Sequence, residues 1–301
     1  MDTGRGTRRD GVRILLTVGA VVLLAIITLL LVWLVRPDST VGGPDPDAAL
    51  SHVHGLGLNP ADGSLVVATH FGSFRIIDGA AAERIGASEQ DTMGFTVLGP
   101  DHFLGSGHPD RAGIENGAPS RLGVIESRDA GATWEELALG GEADLHAIAV
   151  ADRVIYGWDA SSGQVLASDD GRHWSARSSL ELTSLVADPA DPAVLLAATP
   201  AGIERSDDGG RTWALTDGPN LIVLSWDAVG GLWGADPGGG LHRRDVAGWT
   251  RTGVLLGAPQ ALLATPDRVY AATVNDEGQT DIAFSPDGGA TWTTQQGDPE
   301  G

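Results

Sequence analysis

Five of the eight histidines fall in four short phrases: His52 and His54 in SHVHGLG, His70 in VATHFG, His108 in GSGHPD and His146 in EADLHAI. Neutral imidazole is the commonest protein ligand for transition metals. Met93, in QDTMGF, adds a thioether, and Asp91 and Asp144 add carboxylates close by in the chain. Imidazoles with a carboxylate or thioether suit Zn or Cu, and the thioether softens the set toward Cu. Carboxylates behind metal-bound imidazoles commonly orient them, a role open to Asp91, Asp110 and Asp144. Taken singly, each histidine has an ordinary alternative as a hydrogen-bonder in a loop or core. The candidate metal ligands are therefore His54, His70, His108 and His146, with His52, Met93 and Asp144 beside them. Cu or Zn is the cofactor they would hold. His102, His173 and His242 are read as hydrogen-bonders.

Composition removes several other chemistries. The chain has no Cys, so thiolate metal sites, disulfides and Cys nucleophiles are excluded. Its net charge is −21, and every basic residue is Arg. A chain this acidic repels nucleic-acid phosphates, and a basic face for anionic lipid is equally excluded. The charge reads first as solubility and second as attraction of cations.

The elements that must position these residues are given by a recurring phrase. It reads SRDAGATW at 127–134, SDDGGRTW at 206–213 and SPDGGATW at 285–292, with a shortened SDDGRHW at 168–174. Trp134, Trp174 and Trp213 lie 40 and 39 residues apart, Trp249 follows after 36, and Trp292 after another 43. A period near forty, filled with apolar runs of strand length broken by Gly, Pro and Asp, predicts a β-propeller. Six units of four short antiparallel strands are expected, beginning near His52, Asp91, Asp144, Leu182, Asn220 and Pro259. Units one and five lack the full box. In this arrangement the box joins the third and fourth strands. Asp129, Asp170, Asp208 and Asp287 accept turn N–H groups, glycines such as Gly131 supply positive φ, and Trp134, Trp174, Trp213 and Trp292 pack between strands.

In a propeller, the loops entering first strands and leaving second strands converge at one end of the channel. His52, His54 and His146 enter first strands, and His70 and His108 end second strands. All five map to one face, on blades one to three. Thr199, Asp236, Asn275, Asp276 and Glu277 occupy the matching places on blades four to six.

The boxes resemble the Asp-box, or BNR, repeats of sialidase-like propellers, over residues 51–301. The resemblance implies that the boxes lie on the rim, away from the ligand-binding face. It also implies three arginines, a Tyr–Glu pair and an acidic residue in any true sialidase. That set is not found. FRII at 74–77 only superficially matches the Phe-Arg-Ile-Pro motif, sits where a third strand is expected and lacks the Pro. Tyr156 and Tyr270, the only tyrosines, fall inside predicted second strands. The phrases HVHGLG, ATHFG, GSGHPD and EADLHA resemble a bacterial subgroup labelled predicted glycosyl hydrolase or exo-sialidase. That label implies a name rather than a catalysed reaction.

Residues 14–35 form an apolar run long enough to span a bilayer as a helix. Arg5, Arg8, Arg9 and Arg13 precede it and only Arg36 follows closely, which puts the N-terminus in the cytoplasm and the rest outside. No Ala-x-Ala cleavage site ends the run. The expected organisation is a cytosolic stub at 1–13, a single-pass anchor at 14–35, a linker at 36–50 and an all-β propeller at 51–301. The expected function is binding of a metal, small ligand or glycan on the His-rich face, outside the cell membrane. The alternatives are a glycosyl hydrolase using face carboxylates and a scaffold for envelope assembly.

Overall fold

Strands buried on both faces read as continuous apolar runs, and strands that meet solvent do not. The chain shows both kinds in each unit. Second strands such as Leu65–Thr69 and Leu232–Ala235 are buried at every position, whereas fourth strands such as Ala214–Leu215 and Thr293–Thr294 are exposed throughout. This gradient is that of a blade whose inner strands are covered by neighbouring blades and whose outer strand forms the rim.

The computed structural model describes residues 50–77 and 80–295. They form six four-stranded antiparallel sheets, each built from four consecutive strands in the order one to four. The blades span residues 53–85, 91–138, 145–179, 184–215, 223–254 and 258–294. Each first strand begins within three residues of the place expected from the repeat. A five-residue helix, Arg111–Glu115, sits in the insertion of blade two and is capped by Asp110, whose Oδ1 accepts from the Gly113 N–H at 2.7 Å. The stub, the anchor and the linker up to residue 49 lie outside the described residues. Among the described residues no helix is long and apolar enough to cross a membrane.

Blades are held together by apolar layers and a repeated clasp. Between blades one and two, Val66 and Ala68 pack on Phe95 and Phe103. Between blades six and one, Ala261, Tyr270 and Ile282 pack on Leu50, Val53 and Leu65. The clasp is a first-strand N–H donated to a side chain of the preceding blade: Leu145 to Ser106 Oγ, Leu224 to Ser184 Oγ and Ala264 to Ser225 Oγ. The last bond of this kind closes the ring, from Val53 N–H to Gln260 Oε1 at 3.1 Å. No strand is exchanged between blades among the described residues.

The box lies in the third-to-fourth-strand connection of blades two, three, four and six. Asp208 Oδ1 accepts the Thr212 N–H at 2.9 Å and Oδ2 the Thr212 hydroxyl at 2.6 Å. Ser206 Oγ accepts from the Gly210 N–H at 2.9 Å. The same bonds recur around Asp129 and Asp287. In the shortened box His173 replaces the Thr, placing Nδ1 2.7 Å from Asp170 Oδ2. Bonds to Thr212 hold Asp208 well below the ordinary carboxylate range, and the bond to His173 does the same for Asp170. The indole N–H of Trp174, Trp213 and Trp292 donates to Gly171 O, Ser178 Oγ and Val254 O.

Candidate functional site

Four first strands depart from regular pairing at the same height. Register shifts pass over His54 in blade one, Met93 in blade two, His146 in blade three and Gln260 in blade six. A residue left over in this way is a β-bulge, which bends the strand and re-aims a side chain. The backbone after each bulge must run close to its neighbours. A Cβ on Gly94 would stand 2.4 Å from the Leu145 carbonyl oxygen, so the residue following Met93 is Gly. The bulges thus turn His54, His146 and Gln260 toward the channel mouth, where all three line a cavity of about 260 Å³.

The expected face residues gather in two groups around two carboxylates. In the first, Asp91 Oδ2 lies 2.8 Å from His70 Nδ1 and Asp91 Oδ1 lies 3.3 Å from His54 Nε2. His54 and Asp91 are largely buried, and His70 is half exposed. The His52 ring stands edge-on to His70 at 6.0 Å between centroids, and the Phe71 ring meets His70 edge-on at 5.0 Å. His52, Met93 and His108 line a cavity of about 480 Å³ together with this group.

In the second group, Asp144 Oδ2 lies 3.1 Å from His146 Nε2 and 3.5 Å from His108 Nε2. His108 Nδ1 is 2.8 Å from the Ser120 carbonyl oxygen and donates its proton to it, so in the neutral ring Nε2 presents a lone pair. The His146 ring meets Trp158 edge-on at 6.2 Å. Asp159 Oδ1 accepts the Asp144 N–H at 2.9 Å and fixes the turn. Burial pushes the Asp144 carboxyl up. The His146 hydrogen bond, with the charges of His146, His108 and Arg121, outweighs it and leaves Asp144 below its ordinary value.

Both groups leave buried polar atoms unused. His54 Nε2 and Asp91 Oδ1 are close but misaligned, and neither has a hydrogen-bond partner; nor does Asp144 Oδ1. In each group the two imidazoles and the carboxylate offer ligand atoms all within 4.8 Å of one another. Four tetrahedral ligands at about 2.0–2.1 Å from Zn stand about 3.3–3.4 Å apart. The distances in the second group, 3.1 and 3.5 Å, bracket that spacing, and those in the first, 2.8 and 3.3 Å, lie at or below it.

The structure places other candidates elsewhere. Asp110 does not orient an imidazole. Its oxygens take the N–H groups of Gly113 and Glu89, which hold its carboxyl below the ordinary range and tie the short helix to the loop before blade two. Asp91 and Asp144 face imidazoles directly instead of standing behind them. His102 pairs with Glu126 at 2.7 Å. His242 stands 2.9 Å from Asp236, just past the second strand of blade five, a face pair that the repeat position of His242 did not suggest. Tyr156 is buried and donates to the Pro192 carbonyl, and Tyr270 is buried against Phe284, so neither phenol reaches the face. The signal missed in the sequence is the Gly or Ala that follows each bulge residue, in HVHG, TMG, LHA and PQA.

No protein-family model and no curated protein matches the chain. Solved structures match it in fold. A GH74 enzyme from Niastella koreensis aligns with a TM-score of 0.55 and 17% identity, over 81% of this chain and 45% of that one. A GH74 xyloglucanase from Xanthomonas campestris aligns at 0.52 and 20%, over 81% and 45%. A chain of a nidogen/laminin complex aligns at 0.58 and 15%, over 74% and 89%. The chain thus spans less than half the length of the two GH74 enzymes. At these identities the likeness is one of β-propeller fold.

Proposed function

We propose that this chain is a propeller of the Asp-box class, held outside the membrane by residues 14–35, that binds a Zn or Cu ion through His54, His70 and Asp91. The observation that carries the reading is the pair of orphaned atoms, His54 Nε2 and Asp91 Oδ1. A buried polar atom without a hydrogen bond costs about 1–3 kcal/mol, and a cation between the two, with the imidazole neutral, removes that cost. Two imidazoles and one carboxylate leave coordination positions open for water, for His52 or for the Met93 thioether. When bound, the metal would supply Lewis acidity or redox chemistry. The chain's own residues orient it, with Phe71 and His52 in edge contact with the His70 ring.

A glycosyl hydrolase working through face carboxylates is the competing reading, prompted by the fold shared with GH74 enzymes. It asks for carboxyl groups free to meet a sugar, and Asp91 and Asp144 are each paired with two imidazoles.

Equilibrium dialysis of the full chain in detergent against Zn(II) and Cu(II), followed by metal analysis, decides between them. Tight binding is expected, with most of it lost in His54→Ala combined with Asp91→Asn. Equal metal in wild type and variant sinks the reading, and sugar release from a glycan panel that depends on Asp91 or Asp144 but survives chelation favours the rival. Retention of the chain in membranes after an alkaline wash, with the propeller open to external protease, is the result expected for the anchor.

A further inference from the structure

We infer that His108, Asp144 and His146 form a second metal site, and that this face holds two ions as a neighbouring pair. The inference rests on the reading that the first group binds metal. Its own support is separate. The Ser120 carbonyl takes the Nδ1 proton of His108, so in the neutral ring Nε2 is an acceptor facing Asp144, 3.5 Å away. Two acceptors opposed in this way repel unless a proton or a cation lies between them. Asp144 Oδ1 is a further buried acceptor without a hydrogen-bond partner. A carbonyl accepting from the far nitrogen of a ligand imidazole is the usual support of a metal-bound His. Trp158 holds the His146 ring from the side.

The two groups are adjacent by strand pairing. Asp91 of the first group and His108 of the second are direct partners in the ladder between the first two strands of blade two. Such partners lie about 4.5–5.5 Å apart at Cα with side chains on the same side of the sheet. His108 also lines the cavity of the first group. The second site offers two nitrogens and one oxygen, a donor set for borderline divalent cations such as Zn(II) or Cu(II). The adjoining cavity leaves room for water or a small bridging anion on the open positions.

The test is metal stoichiometry and magnetic coupling in the full chain loaded with Zn(II) or with Cu(II). Wild type is expected to hold two ions. Asp144→Asn is expected to hold one, as is His108→Ala, whose exposed ring can be removed without opening the core; Asp91→Asn is also expected to hold one. Cu(II)-loaded wild type should give a dipolar-broadened electron paramagnetic resonance spectrum, and each single-site variant the spectrum of an isolated Cu(II). Thermal melting confirms that each variant is folded. One ion in wild type, with Asp144→Asn unchanged, overturns the second site while leaving the first. Two ions without magnetic coupling overturn the pairing, and no bound ion in any form overturns both readings.

Discussion

His52 has a φ of 54°, a left-handed backbone that a residue with a Cβ adopts at a cost of about 1–2 kcal/mol. Its carbonyl receives the His70 N–H at 3.2 Å, so the strained turn sets where both rings stand. His52→Gly relieves the strain and frees the unfolded chain, and the two effects oppose each other. A net gain of about 0.5–1 kcal/mol in metal-free stability is expected in urea unfolding, together with weaker metal binding. A variant both less stable and equally able to bind would remove His52 from the site. At the rim, the depressed carboxyl of Asp208 has a consequence for acid stability. A carboxyl that titrates lower in the folded chain than in the unfolded one stabilises fully above about pH 4, and that contribution is lost as pH falls further. Asp208→Asn is therefore expected to lower the urea midpoint at pH 7 and to converge on wild type below pH 4. A gap that stays constant across that range would mean the ionised Thr212 bonds contribute nothing.

At the level of the strand, the bulges decide what the face can do. A register slip of one residue sends a side chain to the opposite side of a sheet, so the bulge after Val53 is what separates the aim of His54 from that of its neighbours. Gly94→Ala tests this on blade two. The added methyl meets the Leu145 carbonyl and is expected to cost about 1–3 kcal/mol, with lost metal at both groups because Asp91 and Leu145 move apart. Metal binding that survives such destabilisation would disconnect the bulge from the site. The blade boundaries were legible in the sequence because Trp134, Trp174, Trp213 and Trp292 act as rulers, and because second strands such as LVVAT are apolar at all but the last position. That five histidines share one end of the ring followed from those boundaries. Their division around Asp91 and Asp144 was not legible, because it depends on which residue of one strand faces which of the next. Asp91 opposite His108 is a fact of pairing, and bulges shift that pairing by amounts that repeat spacing does not carry.

For the molecule as a whole, the first group is also a staple. His54 and His70 belong to blade one and Asp91 to blade two, so an ion bound there crosslinks blades that otherwise meet through Val66, Ala68, Phe95 and Phe103. Free metal at about a hundred times its dissociation constant adds about 2.7 kcal/mol to the folded state. In a chain of this size that corresponds to a rise in melting temperature of roughly 5–10 °C, reversed by chelator. Melting curves that coincide with and without Zn(II) or Cu(II) would argue against binding to the folded state. Among the described residues the seam between blades six and one has no such cluster and is held by packing and by the Gln260 clasp. Gln260→Ala leaves the buried Val53 N–H without its acceptor and is expected to cost about 1–3 kcal/mol in thermal unfolding.

The same construction, four consecutive strands to every blade, has a consequence in time. Sequence order and spatial order coincide, so each blade can form from chain that has just been made, without waiting for a distant strand. Among the described residues it is the seam that joins residues far apart, with Val53 and Gln260 separated by 207 positions. A growing chain therefore holds all the strands that carry His54, His70 and Asp91 long before the ring can shut. The residues of the histidine face come early in the chain, and the last blade to emerge locks them into a circle.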